Sequence, residues 1–180
     1  GRSLVDIRSD APVIVIGLGR FGASTAGQLD RQDREVLVVD TDMQLVQKWA
    51  DRVTHAVQAD ARSMEALRQI GAEQFQIAVV ATGASIEASV LIAANLVDLG
   101  IPQIWAKAIS QSHGKILERI GVNHVIYPER EAGERVAHFA VGLEVERGER
   151  VVENQDFRVT VHRARNRQAL LLAAGHVRSA

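Results

Sequence analysis

The chain has 180 residues, a formal net charge of −1 and no cysteine. That length supports one principal core, the near-neutral charge excludes a global field for nucleic acid, and the missing thiols exclude disulfides, a thiolate nucleophile, zinc knuckles and iron–sulfur clusters. The longest apolar stretches, such as Val13 to Ile16 and Val90 to Leu96, fall far short of the roughly 20 residues that cross a bilayer, so no direct membrane insertion is expected, and no signal-peptide pattern opens the chain.

Residues 1–10 read as an N-terminal extension. Strands are then predicted at Val13–Ile16, Val36–Val39, Val53–Val57, Ile77–Val80, Ile104–Ala106 and Val122–Ile126. These are near-continuous apolar runs of the kind buried on both faces of a parallel sheet. Between them, amphipathic patterns predict helices over about 21–31, 43–50, 63–70, 85–98 and 111–120, each long enough for a right-handed crossover between parallel strands. Helix starts are marked by Asp40 or Thr41, by Ala61-Arg62-Ser63 and by Ser110. The expected fold is α/β: a Rossmann-like, doubly wound, parallel six-stranded sheet over residues 11–128. A sixth helix begins at Glu129, directly after Pro128, and runs to about Val145 with a broad apolar face. Beyond Gly148 the pattern weakens, with one strand expected at Phe157–Val161. Residues 148–180 read as a tail or a truncated C-terminal lobe.

Directly after the first strand stands Gly17-Leu18-Gly19-Arg20-Phe21-Gly22, a GxGxxG turn opening into a helix. The first glycine permits the tight turn, the second lets a pyrophosphate approach the backbone, and the third allows close helix–strand packing. The helix then offers free amides and the positive end of its dipole to phosphate. The second strand ends in Asp40, followed by Thr41, roughly twenty residues on, where a carboxylate accepts both ribose hydroxyls and repels a 2′-phosphate. NADP is disfavoured; NAD, ATP, ADP and AMP remain open. The third strand leads to Asp60-Ala61, at the level of an adenine edge, where Asp60 is placed to accept from the adenine amino group or to cap the helix starting near Ser63. The fourth ends in Ala81-Thr82-Gly83, small residues that leave room beside phosphate or ribose. Arg20, between the second and third glycines, suits a distal phosphate, and Lys107 adds positive charge at the end of the fifth strand or serves as a surface residue.

Hydride transfer needs an acid–base residue and a substrate pocket, and neither is evident. The only tyrosine, Tyr127, is followed four residues later by Glu131, so a Tyr–Lys pair is absent, and no GxSxG elbow or Walker loop occurs. His55, His113, His124, His138, His162 and His176 lack metal-ligand spacing and read as surface or packing residues; Trp49 and Trp105 read as core. No catalytic residue is assigned, and sensing without covalent chemistry is expected. An NAD-dependent oxidoreductase or an NAD(H)-sensing protein on the same fold is the alternative.

Longer stretches carry a resemblance. Val15-Ile16-Gly17-Leu18-Gly19-Arg20-Phe21-Gly22, Glu35-Val36-Leu37-Val38-Val39-Asp40, Thr54-His55-Ala56-Val57, Ile101 to Ala108, Ile116 to Val122 and Val125-Ile126-Tyr127-Pro128-Glu129-Arg130 together resemble the RCK, or KTN (TrkA-N), domain family of cytoplasmic regulators of bacterial potassium transporters and channels. The resemblance spans about residues 11 to 145. It implies a homodimer assembling into an octameric ring, docked under a KtrB-like membrane potassium-translocating subunit and therefore cytoplasmic, peripheral to the inner face of the cell membrane. It further implies that ATP and ADP bind alternatively, with NAD or NADH as other ligands, and that residues 129–147 form the crossover helix linking subunits. By the same resemblance Arg20 approaches phosphate from its own or the adjacent subunit. Glu129 lies near the nucleotide and the dimer interface, where it holds a divalent cation such as Mg2+ against the γ-phosphate or acts only as a first-turn acid. Family members usually continue into a larger C-terminal lobe than residues 148–180 supply.

Overall fold

A computed structural model describes residues 10–83, 85–128, 150–154 and 157–163. The helix predicted from Glu129 to Val145, the crossover assignment of 129–147, the cation role of Glu129 and most of the N-terminal extension lie outside the described residues.

Six parallel strands carry the fold: β1 (Val13–Ile16), β2 (Val36–Asp40), β3 (His55–Gln58), β4 (Ile77–Val80), β5 (Gln103–Lys107) and β6 (His124–Pro128). They alternate with α1 (Arg20–Arg31), α2 (Met43–Ala50), α3 (Met64–Gln69), α4 (Ile86–Asp98) and α5 (Gln111–Ile120). Two antiparallel strands, β7 (Arg150–Asn154) and β8 (Phe157–Arg163), extend the β6 edge, where the sequence predicts only one. The order is β3-β2-β1-β4-β5-β6-β8-β7. Its first six strands reproduce the doubly wound arrangement in which the winding reverses between β1 and β4. A crevice therefore opens at the carboxyl ends of those two strands.

Every residue of β1 and β4 is buried, as expected of strands covered on both faces. Alternate side chains serve two cores. Val13, Val15, Val36 and Val38 pack with Phe21, Leu29 and Trp49 on the α1–α2 face. Ile14, Ile16, Leu37 and Val39 pack with Leu67, Ile92, Leu96 and Leu117 on the face of α3, α4 and α5. A fully buried leucine such as Leu29 or Leu96 contributes about 1.5–3 kcal/mol relative to exposure. Trp49 and Trp105 are both buried, the latter stacked on His124 with ring centroids 4.0 Å apart.

Two strands start two residues later than the sequence reading places them, each for a stated reason, while β5 starts one residue earlier, at Gln103. Val53 is buried, yet its amide is bonded to the Trp49 carbonyl and closes α2, so β3 begins at His55. Val122 is fully buried as well, but its amide reaches back to Leu117 after Gly121 turns left-handed at φ 110°, a Schellman-type ending, and β6 begins at His124. The α2 cap also differs from the prediction of Asp40 or Thr41: Asp42 accepts from the Gln44 amide.

Candidate nucleotide-binding site

The turn after β1 is built by three glycines with three separate physical reasons. Gly17 has φ 99°, and a Cβ there would stand 3.0 Å from the Thr82 amide nitrogen; conformation and contact both require glycine. At Gly22 a Cβ would overlap the Gly17 carbonyl oxygen and stand 3.0 Å from the Ala81 Cβ. Gly19 is different, because its φ of −64° is open to any residue and a Cβ would meet nothing within 4 Å. Packing within the described residues makes no demand for glycine there. The space over this residue is open.

That space faces the start of α1. The other four helices each begin with a side chain accepting from a first-turn amide: Asp42 from Gln44, Ser63 from Ala66, Ser85 from Ala88 and Ser110 from His113. α1 begins at Gly19 with no side-chain cap. Its first amides and its dipole end are thus left for an external acceptor. Arg20, the first helical residue, is exposed, whereas Leu18 and Phe21 are buried and anchor the turn.

Asp40 joins this turn directly. Its Oδ2 accepts from the Leu18 amide at 2.7 Å and its Oδ1 from the Asp42 amide at 2.9 Å. Each carboxylate oxygen has two acceptor positions, so one on each remains for a ribose hydroxyl. Thr41 is exposed, and its carbonyl accepts from Gln58 Nε2 at 3.0 Å, tying the end of β2 to β3.

Asp60 neither stands free nor caps α3, which Ser63 does. Its carboxylate accepts from the Arg62 amide at 3.0 Å and from the Arg62 guanidinium at 2.8–3.2 Å. The guanidinium lowers the Asp60 pKa. Asn95 of α4 fixes the same loop from beneath, donating to the carbonyls of Ala61 and Arg62 at 3.2 and 2.8 Å. Ala61 itself is buried.

Across the crevice, Ala81, Thr82 and Gly83 follow β4. Ala81 is buried against Gly22, and the Thr82 hydroxyl oxygen is buried with no hydrogen-bond partner among the described residues. A buried hydroxyl without a partner costs about 1–3 kcal/mol, which marks this position for an incoming donor or acceptor. Lys107 reaches over from β5: its Nζ lies 6.0 Å from the Phe21 ring centroid and would stand 2.5 Å from a Cβ on Gly83. Burial pushes its pKa down, as expected of an ammonium held away from water without an anion. The structure thus brings Gly17–Gly22, Asp40, Ala81–Gly83 and Lys107 to one crevice. Thr41 and Asp60 stand at the same sheet edge.

Sequence reasoning did not single out Asn95 or Ser89, and it read His113 as a surface or packing residue. Ser89 and His113 are buried, and their side chains meet at 3.0 Å. The available signal was a serine on the apolar stripe Ser89, Ile92, Ala93, Leu96 and a histidine three residues after a Ser N-cap. Among the described residues no group of three or more His, Cys, Asp or Glu side chains is arranged to hold a metal ion, and no helix is long and apolar enough to cross a membrane.

Comparison with known proteins agrees with this geometry. The TrkA-N domain signature matches residues 13–128. Over 123 residues the chain is 44% identical to Ktr system potassium uptake protein A of Bacillus subtilis (strain 168), covering 68% of this chain and 55% of the relative. It is 38% identical over 131 residues to Ktr system potassium uptake protein C of the same organism, covering 73% and 59%. The chain thus spans somewhat over half the length of these relatives. Among solved structures, the TrkA-N domain of the inner membrane protein ybaL from Escherichia coli superposes with a TM-score of 0.61 at 23% identity, covering 71% of this chain and 93% of that domain. The GsuK channel bound to NAD superposes at 0.57 and 15% identity, covering 69% and 22%; GsuK bound to ADP gives 0.56 and 14%, covering 69% and 33%. With its signature spanning well over half of the sequence, the chain belongs to the TrkA-N domain family.

Proposed function

We propose that this chain is the nucleotide-sensing part of a regulatory subunit of a potassium-uptake system. It binds an adenine nucleotide across the β1–β4 crevice and performs no covalent chemistry. The observation that carries this reading is the uncapped start of α1 beneath the open space at Gly19, with the Asp40 carboxylate fixed beside it. Phosphates on the α1 amides and a ribose on Asp40 use the polar groups that the protein leaves unsatisfied. The buried Thr82 hydroxyl and the desolvated Lys107 ammonium lie on the opposite wall, where an anion would satisfy both. Two GsuK structures that share this fold hold NAD and ADP, which supports an adenosine ligand here, with NAD(H) as the competing ligand.

In this reading ATP and ADP are alternative ligands that favour different shapes of a homo-oligomeric ring, an octamer of dimers' making, docked on a KtrB-like membrane subunit at the cytoplasmic face. Such a ring responds only through different affinities of its two shapes for each nucleotide. Arg20 reads the outermost phosphate, and Glu129 contributes to a divalent cation such as Mg2+ there. Calorimetric titration of ADP, ATP and NADH tests the ligand assignment. Saturable binding of ADP and ATP is expected, with Arg20→Ala weakening ATP more than ADP. Absence of binding by every adenosine ligand, or tight NADH binding accompanied by cofactor turnover, would overturn the proposal.

A further inference from the structure

The β4–α4 and β5–α5 connections carry Thr82-Gly83 and lead on from Lys107, and these two loops form one wall of the crevice. Behind that wall, a buried polar contact joins α4 and α5. Ser89 is fully buried on the first turns of α4, and His113 is 1% exposed on the first turn of α5. The His113 Nδ1 accepts from the Ile109 amide at 3.2 Å, so the neutral ring carries its proton on Nε2 and donates it to Ser89 Oγ at 3.0 Å. Ser110 accepts in turn from the His113 amide at 3.1 Å, so side chain and cap hold each other in the manner of a capping box. The ring thereby grips its own entry loop, Ala108–Ser110, with one nitrogen and the start of α4 with the other. Ser89 continues that path, its amide bonded to the carbonyl of Ser85, where the β4–α4 loop ends.

From this geometry we infer that the Ser89–His113 pair positions Lys107 against Gly83, setting the spacing of the phosphate-side wall while touching no ligand itself. Three features support it. The Lys107 ammonium already lies so close to Gly83 that a Cβ there would stand 2.5 Å from it. A small change in loop spacing therefore moves the charge relative to the space over α1. Lys107 has no ion pair among the described residues: its backbone is fixed at the end of β5, opposite Ile126 of β6, and its side chain lies against the Phe21 ring, so the position of Gly83 sets what faces the ammonium. Finally, a buried histidine–serine bond is costly to leave half-made, which suits a fixed spacer. Ser89 and His113 are positioning residues, and the inference rests on the nucleotide assignment above.

The test is a double-mutant cycle on the full chain, with calorimetry for ADP and ligand-observed NMR for adenosine. Ser89→Ala is expected to weaken ADP on the order of five- to tenfold, within the coupling range of residues that share a network, and to leave adenosine within about twofold. In a Lys107→Ala background the same substitution should cost ADP less than about twofold, because the positioned group is gone. Equal losses for ADP and adenosine, or the same factor in both backgrounds, would overturn the inference while leaving the nucleotide reading standing. A wild-type chain that shows no saturable ADP binding would overturn both. Should Ser89→Ala fail to fold, Ser89→Cys fills nearly the same space with a far weaker hydrogen-bond partner and carries the same comparison.

Discussion

Replacing Gly19 with alanine separates the demands of the fold from those of a ligand. At Gly17 and Gly22 the protein itself forbids a side chain, so loss of binding there would say nothing about nucleotide. At Gly19 a Cβ meets no atom within 4 Å and the backbone sits at φ −64°. The folded chain therefore accommodates the methyl. Two small terms oppose each other: alanine is a poorer N-cap than glycine, while restricting the unfolded chain stabilises by about 0.4–1 kcal/mol. The net change is expected within about 1 kcal/mol, or about 2–4 °C in Tm. For the ligand the methyl occupies the approach of the phosphates to the α1 amides. Losing one charge-assisted hydrogen bond costs about 1.5–3 kcal/mol, which corresponds to roughly a 10- to 150-fold rise in Kd. Thermal melts of the ligand-free variant and calorimetry with ADP read the two effects separately. An unchanged ADP affinity would refute the placement of phosphate over Gly19. A melting temperature lowered by far more than this would refute the claim that the fold leaves that glycine free.

Asp40→Ala should weaken ADP, ATP and NADH by similar factors, because it removes the ribose acceptor common to all three. It should also destabilise the chain by about 1–3 kcal/mol through the abandoned Leu18 and Asp42 amides; a nucleotide-selective loss by calorimetry would contradict this. His113 supplies a pH dependence whose sign is fixed by burial, which lowers its pKa below the ordinary 6.5. The unfolded chain then takes up the proton first, so the contribution is complete above about pH 6.5 and is lost as pH falls from there toward the folded value. Urea denaturation at pH 7.5 and 5.5 should show a smaller pH effect in His113→Gln than in wild type, and equal effects would sink the assignment.

Most of the scaffold was legible because buried parallel strands write themselves as uninterrupted β-branched runs. β1 and β4 begin and end where those runs do. The same signal misled at Val53 and Val122, which are apolar and buried but spend their amides on closing a helix. Hydropathy reports burial and is silent on where a backbone hydrogen bond goes. At Asp40-Thr41-Asp42 the ambiguity was of another kind. The sequence reading puts the cap at Asp40 or Thr41, whereas the turn geometry gives it to Asp42 and leaves Asp40 facing Leu18. The contacts of Asn95, Ser89 and His113 were illegible because their partners lie 24 to 34 residues away in sequence, which no local pattern encodes.

Sequence reasoning gave Asp40 to the ribose and Asp60 to the adenine amino group or a helix cap, and their surroundings differ accordingly. Asp40 is held by two backbone amides, one on each oxygen, and keeps an acceptor position on each. A ribose placed there would break neither contact, so this end is preorganised for one. Asp60 is engaged by a neighbouring side chain: the Arg62 guanidinium takes both oxygens, and both side chains are exposed, at 42% and 55%. An adenine amino group there must share or displace Arg62, and an ion pair this exposed is held weakly. Asp60→Asn is accordingly expected to change ADP affinity by less than about fivefold, well under the effect of Asp40→Ala in the same calorimetric series. Arg62→Ala should leave affinity unchanged or raise it, by freeing the carboxylate. A loss at Asp60 as large as at Asp40, unaffected by removal of Arg62, would mean that adenine recognition and not the ribose anchors the ligand.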